Sequence, residues 1–378
     1  MTVAFVSCYL SIHQVPFCEE MYAILGNGFH YIADSKISEW RLETGYSDID
    51  SMYPFVIKAY ENEAVALSIA FECDVLIVGS APDKYIEKRL RNNKLTFRCS
   101  ERFFKNPLTI RKLLRAYISS WKHHGRFRKK PLYMLCASAY TANDSLRFYN
   151  YKNKMFKWGY FPETLTYDVE ALFDKKNSET IELLWVGRLI EWKHPLMAIE
   201  TARYLHNTSL KYHLSIIGSG EQEEIINKSI KEYGLESEVD VIGAIPADQV
   251  RRYMEAANIF IFTSDQKEGW GAVVNEAMNS GCAVVACNAS GSVPFLIKNE
   301  ENGITFCTGD QKKLNTHVER LINDKQFRER LGRNAYITIH DTWNAHVATQ
   351  RLLKLISILP NGNVPFRDGP CSVADKII

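Results

Sequence analysis

The sequence has no CxxC pair, no long apolar run and almost no net charge, and each lack removes a class of protein. Its nine cysteines stand singly, in apolar stretches at Cys73, Cys136, Cys282 and Cys287. That is the pattern of reduced, buried thiols in a cytoplasmic protein. No run approaches the ~18 consecutive apolar residues of a spanning helix. The first residues, Thr2-Val3-Ala4-Phe5-Val6, have no basic flank before a long apolar segment, so neither a signal peptide nor an anchor is expected. The chain is expected in the cytoplasm, at most peripheral on the inner face of the membrane. Lys and Arg number 46 against 44 Asp and Glu, a formal charge of +2, which argues against nucleic acid as a partner.

Credible cofactor motifs are missing too. Asp48-Ile49-Asp50 has the DxD form of a divalent-metal site, but it lies in a polar loop rather than at a strand end and reads as a solvated turn. Gly218-Ser219-Gly220 follows a strand yet lacks the third glycine of a dinucleotide fingerprint, position 223 being Glu. Gly26-Asn27-Gly28 ends a helix and precedes a strand, the reverse of the nucleotide-binding order. No metal and no cofactor are expected.

What the 378 residues do carry is the rhythm of two α/β domains. In the first half, apolar strands are expected at Val3-Ser7, His30-Ala33, Val75-Gly79, Thr96-Cys99 and Leu132-Ala137, alternating with helical patterns. A polar stretch, Asp174 to Glu179, reads as surface loop, and the interdomain linker is placed at 161–179. Strands then recur at Glu182-Val186, Tyr212-Gly218, Val239-Ile242, Ile259-Thr263, Ala283-Cys287 and Ile304-Phe306. Helices separate most of them, so the sheet is expected to be parallel with right-handed crossovers. The predicted boundaries are 1–165, 180–342, and a C-terminal helix and tail over 343–378.

Ligands in such sheets bind beyond the carboxyl ends of the strands, where two candidate constellations fall. Glu268-Gly269-Trp270-Gly271-Ala272-Val273-Val274-Asn275-Glu276 follows one strand and opens a helix. Its glycines let backbone approach a ligand, the helix N-terminus offers N–H groups, and the two carboxylates suit sugar and ribose hydroxyls. Read alone, Glu268 and Glu276 serve equally as a solvated loop acid and a helix-start acid. Gly187-Arg188-Leu189-Ile190-Glu191-Trp192-Lys193 ends another strand with a forked guanidinium and a point-charge ammonium, a pair suited to a diphosphate. Taken singly, both are ordinary surface cations.

Taken in order, Gly187-Arg188 with Lys193, Ile217-Gly218-Ser219-Gly220, Val241-Ile242-Gly243, Ser264 with Glu268-Gly269-Trp270-Gly271, and Glu276-Ala277-Met278 resemble the retaining GT-B glycosyltransferases of family 4 over residues 180 to 310. The resemblance implies two facing Rossmann-like domains, parallel sheets with helices on both faces, and a C-terminal helix returning toward the N-terminal domain. It implies a nucleotide-sugar site in which Arg188 and Lys193 hold the diphosphate, Glu276 the ribose, and Glu268 contacts the sugar as a catalytic residue. Gly269, Trp270 and Gly271 would lie against sugar and phosphate by their backbone, with Gly218, Gly243 and Ser264 completing the donor site. Transfer would retain configuration, without metal, from a UDP-sugar by default.

The N-terminal half departs from that pattern. The loop after the first strand, Cys8 to Pro16, has no glycine; His13 and Gln14 stand where the acceptor or the donor phosphates would be met, and His13 is carried as a catalytic candidate. From Lys105 to Lys130 nine cations occur without one Asp or Glu, beside an apolar helical face of Leu113, Leu114, Tyr117, Ile118 and Trp121. It reads equally as a membrane-surface element and as a core-facing helix followed by a solvated basic loop. The function expected is hexosyl-type transfer from a nucleotide sugar to a saccharide or lipid-linked hydroxyl acceptor, in polysaccharide or glycolipid synthesis. A sugar-nucleotide epimerase or hydrolase, or a nucleotide-sugar-binding protein without turnover, are the alternatives.

Overall fold

The computed structural model describes residues 1–39, 48–106, 109–359, 362 and 364–377. It divides into two units, residues 1–162 with 345–378, and residues 163–344. The N-terminal unit is built on seven strands: β1 Val3–Ser7, β2 Phe29–Ala33, β3 Val56–Lys58, β4 Val75–Val78, β5 Thr96–Ser100, β6 Leu132–Cys136 and β7 Met155–Lys157. They pair in the order β3-β2-β1-β4-β5-β6-β7, every ladder parallel. The C-terminal unit has β8 Ile181–Val186, β9 Tyr212–Ile217, β10 Val239–Gly243, β11 Ile259–Phe262, β12 Ala283–Cys287 and β13 Ile304–Phe306. These pair in the order β10-β9-β8-β11-β12-β13, again all parallel. Both are Rossmann-like sheets flanked by helices.

The central strands explain why they are central. β1 (VAFVS), β4 (VLIV), β11 (IFIF) and β12 (AVVAC) are buried at every position, as befits strands covered on both faces. The short strands β3 and β7 close the two edges of the N-terminal sheet. Neither was read from the sequence: β3 is half-buried throughout and β7 is only three residues long, so little apolar pattern marks them.

Three expectations need correction. The stretch 161–179 is not an open linker: it holds the helix Val169–Lys175, whose N-cap Asp168 accepts from the Ala171 N–H at 3.2 Å. Within the polar run expected at the surface, Lys176 is buried, its ammonium donating to the carbonyls of Met254 (2.9 Å) and Ala257 (2.5 Å). A lysine can sit inside when backbone oxygens take its protons. The carboxyl side of the C-terminal sheet is also followed by helices Gln311–Asn323 and Lys325–Asp341, each begun by an aspartate cap: Asp310 accepts from Lys313 and Asp324 from Phe327. The thiols are all free, six of them buried, but Cys307 is exposed. The helix Ala345–Ile358 packs on Val15–Leu25 within the N-terminal unit.

Candidate active site

Strand order in the C-terminal sheet reverses between β8 and β11, so the loops leaving those strands open a crevice at the carboxyl edge. Three loops are stacked there through their backbones. The Gly218 N–H donates to the Gly243 carbonyl at 2.9 Å, and the Gly187 N–H to that of Ile217 at 3.0 Å. Gly218 has φ +139°, and a Cβ there would stand 1.9 Å from the Gly187 carbonyl oxygen. Only glycine fits that crossing. The Leu189 N–H donates to the Ser219 carbonyl at 2.9 Å, locking the β8 loop that carries Arg188 and Lys193.

The β11 loop is bolted to the β8 loop from the other side. The Thr263 hydroxyl donates to the Lys193 carbonyl at 2.6 Å and accepts from the Trp185 indole at 2.9 Å. The Asp265 N–H donates to the Trp192 carbonyl at 3.0 Å, and the Asp265 carbonyl accepts from the Glu268 N–H at 3.1 Å. Its carboxylate accepts from the Lys267 N–H at 2.7 Å and lies 3.4 Å from His194 Nε2. His194 itself sits in the left-handed region, φ 49°. The result is that Lys193 Nζ and Glu268 Oε2 meet at 2.5 Å, both largely shielded from solvent. Lys193 also lies 5.2 Å from the Trp192 ring centroid and Arg188 5.7 Å, two cations on one indole. Arg188 is the exposed member.

The rest of the Glu268 loop is shaped by packing. Gly271 has φ +89°, and a Cβ there would press within 2.7 Å of the Phe262 ring. Trp270, named among the donor residues, has a fully buried side chain: its indole donates to Asn275 at 2.9 Å and its ring lies near Phe295 and Trp343. Any contact with a ligand is therefore left to backbone in this stretch. Its carbonyl accepts from the Ser290 hydroxyl (3.0 Å) and the Ser292 N–H (3.1 Å). Ser264 is buried, and Gly269 is buried beside Glu268. Glu276 lies in the helix Val273–Asn279; burial raises its pKa above the ordinary carboxylate value, partly countered by the Arg251 guanidinium. Arg251 also donates to the Glu276 carbonyl at 3.3 Å and to Asn279 Oδ1 at 3.1 Å.

His13 belongs to the N-terminal unit, in the loop after β1, where its carbonyl accepts from the Phe161 N–H at 3.3 Å. Burial lowers its imidazole pKa to about 4, so it is neutral at neutral pH. The DxD stretch expected as a solvated turn is corrected: Asp48 is exposed, but Ile49 and Asp50 are buried. Asp50 accepts from the Leu10 N–H at 3.0 Å and from the Tyr60 hydroxyl at 3.4 Å, which ties down the β1 loop. Burial raises its pKa despite those bonds. Sequence reasoning missed Asp265, His194 and Thr263, and passed over Asp50 as a turn. Partners far along the chain explain this: Thr263 meets Lys193 across 70 residues, and Asp50 meets Leu10 across 40.

The family model described as Glycosyl transferases group 1 matches residues 169–338, which contain all of the C-terminal constellation. Among curated proteins, the chain is similar to the amylovoran biosynthesis glycosyltransferase AmsK of Erwinia amylovora, 28% identical over 48% of this chain and 46% of that protein. It is also similar to an α-1,4-N-acetyl-D-galactosaminyltransferase of Campylobacter jejuni that is named for an undecaprenol-linked substrate, 25% identical over 62% of this chain and 64% of that protein. The chain thus spans about half to two thirds of the length of these relatives. Among solved structures, Anabaena HepE in complex with UDP aligns over 94% of this chain and 100% of its own, at TM-score 0.71 and 15% identity. A glycosyltransferase of Rickettsia africae aligns over 96% and 99%, at TM-score 0.69 and 16% identity. Likenesses at such identity show the fold, which is that of GT-B glycosyltransferases.

Proposed function

We propose that this chain is a hexosyltransferase-type glycosyltransferase of the retaining GT-B family 4 kind, moving a sugar from a nucleotide diphosphate sugar to a hydroxyl acceptor without a metal. The observation that carries the reading is the Lys193–Glu268 contact at the strand switch point, with Arg188 over the same indole and three glycine-bearing loops stacked beneath. Arg188 and Lys193 neutralise the charge that gathers on the departing nucleotide diphosphate, an electrostatic stabilisation that a preorganised site supplies without reorganisation. Glu268, fixed by Lys193 and by its own N–H, meets the donor sugar, and Glu276 meets the ribose. His13, neutral at physiological pH, would serve the acceptor from the N-terminal unit. UDP is the favoured carrier, supported by the UDP found with HepE. The relatives' names support a saccharide or lipid-linked acceptor in cell-surface polysaccharide or glycolipid synthesis, and the basic segment 105–130 would bring the chain to the inner face of an anionic membrane.

Incubating the purified chain with UDP-, dTDP- and GDP-sugars, with and without acceptor, tests the reading. Transfer should require acceptor, survive excess EDTA and give a product of unchanged anomeric configuration by NMR. Change of the donor alone means an epimerase or hydrolase, and an intact donor that still raises the melting temperature means a binder without turnover. Loss of activity on chelation, restored by Mn²⁺ or Mg²⁺, overturns metal independence.

A further inference from the structure

The helix Ile110–His123 is amphipathic in an unusual sense: its apolar side faces outward. Ile110, Leu113, Leu114, Tyr117, Ile118 and Trp121 are exposed, from 39% at Leu113 to 89% at Ile110. No other helix among the described residues exposes more than one large apolar side chain. At ~100° per residue these six fall on an arc of roughly 140°. Ser120 is the one buried residue, and with half-buried Ala116 and His123 it marks the side turned to the protein. Arg111, Lys112, Arg115 and Lys122 occupy the arc next to the apolar one and are all exposed, without an ion pair among the described residues. The core-facing alternative for this segment is therefore excluded, since a helix filling a core buries its apolar stripe.

The loop half of the basic segment behaves differently. Arg126 is bonded to Glu87 and lies 4.0 Å from Asp83, Lys130 donates to Asn93 at 3.0 Å, and Arg128 Nε donates to the Gly125 carbonyl at 3.1 Å. Lys105 is paired with Glu101 at 3.0 Å. Their charge is partly spent within the N-terminal unit, whereas the helix keeps its own.

We propose that the helix Ile110–His123 is an interfacial membrane anchor: it lies in the plane of an anionic bilayer with Leu114, Tyr117, Ile118 and Trp121 sunk below the headgroups and its four cations on lipid phosphates. The proposal rests on the membrane-side acceptor read above, and it names which half of the basic segment engages and how. An adjacent apolar and cationic pair of stripes matches the two layers of an anionic interface, acyl chains beneath phosphates. An uncharged apolar protein surface would match the first stripe alone.

The test is co-sedimentation of the full chain with phosphatidylglycerol or phosphatidylcholine vesicles, read alongside size-exclusion and UDP thermal shift. Wild type should partition onto phosphatidylglycerol at low salt at least about ten-fold better than onto phosphatidylcholine, and be released as salt rises. Leu114→Gln with Ile118→Gln, which leaves the charge unchanged, should lower partitioning about ten-fold or more. Arg111→Gln with Lys112→Gln, Arg115→Gln and Lys122→Gln should lower it similarly. Arg126→Gln with Arg128→Gln should change it little. Equal partitioning onto both lipids, binding that ignores the apolar pair, or a wild-type dimer dissolved by that pair would overturn the anchor, the last by showing that a second copy covers the face. Unchanged UDP thermal shift in every variant certifies the fold. Vesicle binding by a chain that transfers no sugar would remove the proposed function and leave the anchor standing; transfer to a soluble acceptor by a chain that never sediments would do the reverse.

Discussion

The two units share one sheet plan and spend it differently. Both put the reversal of strand order next to their first strand, β1 and β8, with β4 and β11 across it. In the C-terminal unit the loops at that point are held largely by backbone against backbone, which demands glycine at Gly218 and Gly220 and leaves Arg188, Lys193 and Glu268 to present charge. In the N-terminal unit the β1 loop has no glycine, and besides backbone bonds such as that from Phe161 to His13 it is held by side chains reaching from elsewhere. Asp50 grips the Leu10 N–H, and the Tyr31 hydroxyl donates to the Tyr9 carbonyl at 2.7 Å. A backbone-built site constrains residue types at fixed spacing, whereas a site tied by remote side chains can keep its geometry under many local sequences.

The largest test of that contrast strikes the charged pair. Lys193→Ala should lower kcat/KM by ~2–4 kcal/mol of transition-state stabilisation, some thirty-fold to nearly a thousand-fold, because under the proposed function it removes a cation from the diphosphate, and it leaves Glu268 without its ammonium partner. Arg188→Ala should act in the same direction, with little effect on folding since the side chain is exposed. Near-wild-type turnover in both variants would break the C-terminal half of the comparison.

Next comes the glycine crossing. Gly218→Ala places a methyl 1.9 Å from a carbonyl oxygen at φ +139°, so loops must part at a cost of about 2–3 kcal/mol. Urea denaturation should report that loss, and UDP affinity should fall with it. A variant as stable as wild type would mean the crossing is looser than the backbone bonds imply.

The difference between the units also sets what a reader of the sequence can see. The strand and helix rhythm was legible because buried parallel strands are continuous apolar runs, and the order of glycines, cations and carboxylates was legible because backbone crossings fix it. The contact itself was not: Lys193 and Glu268 lie 75 residues apart, and nothing local brings them together. Asp50 reads as a solvated turn because its partner is 40 residues away. Lys176 reads as surface because its carbonyl partners lie 78 and 81 residues on. The outward face of Ile110–His123 was undecided, since a helical stripe has the same period whether it meets core or lipid.

A third test falls on the N-terminal unit. Asp50→Ala strips the Leu10 N–H of its acceptor in a buried setting and should destabilise by about 1–3 kcal/mol, seen as a lower melting temperature. UDP affinity at saturating fold should be unchanged if donor binding belongs to the C-terminal unit alone. Transfer to acceptor should suffer more than donor binding. A fall in UDP affinity equal to the fall in transfer would erase the division of labour.

The smallest effect is also the most diagnostic, because it changes sign between free and bound protein. Glu276 is desolvated in the folded chain, and its pKa is raised above the ordinary 4.5. Where a carboxyl group's folded pKa exceeds its unfolded one, the folded state holds more protons than the unfolded state between the two values, so stability falls as pH rises through that window. The penalty is absent below about pH 4.5, where both states are protonated, and complete above the raised folded pKa. Glu276→Gln cannot titrate and escapes it. The variant should therefore melt close to wild type near pH 4 and above it at pH 7.5, the Arg251 charge having already offset part of the cost. With UDP present at pH 7.5 the order should invert, since a carboxylate that accepts ribose hydroxyls recovers its desolvation cost only when the ribose is there. Differential scanning fluorimetry of both proteins at the two pH values, with and without UDP, measures all four corners. A variant less stable than wild type in the free state at pH 7.5 would make Glu276 a structural acid, and an unchanged order on adding UDP would take it out of the donor site.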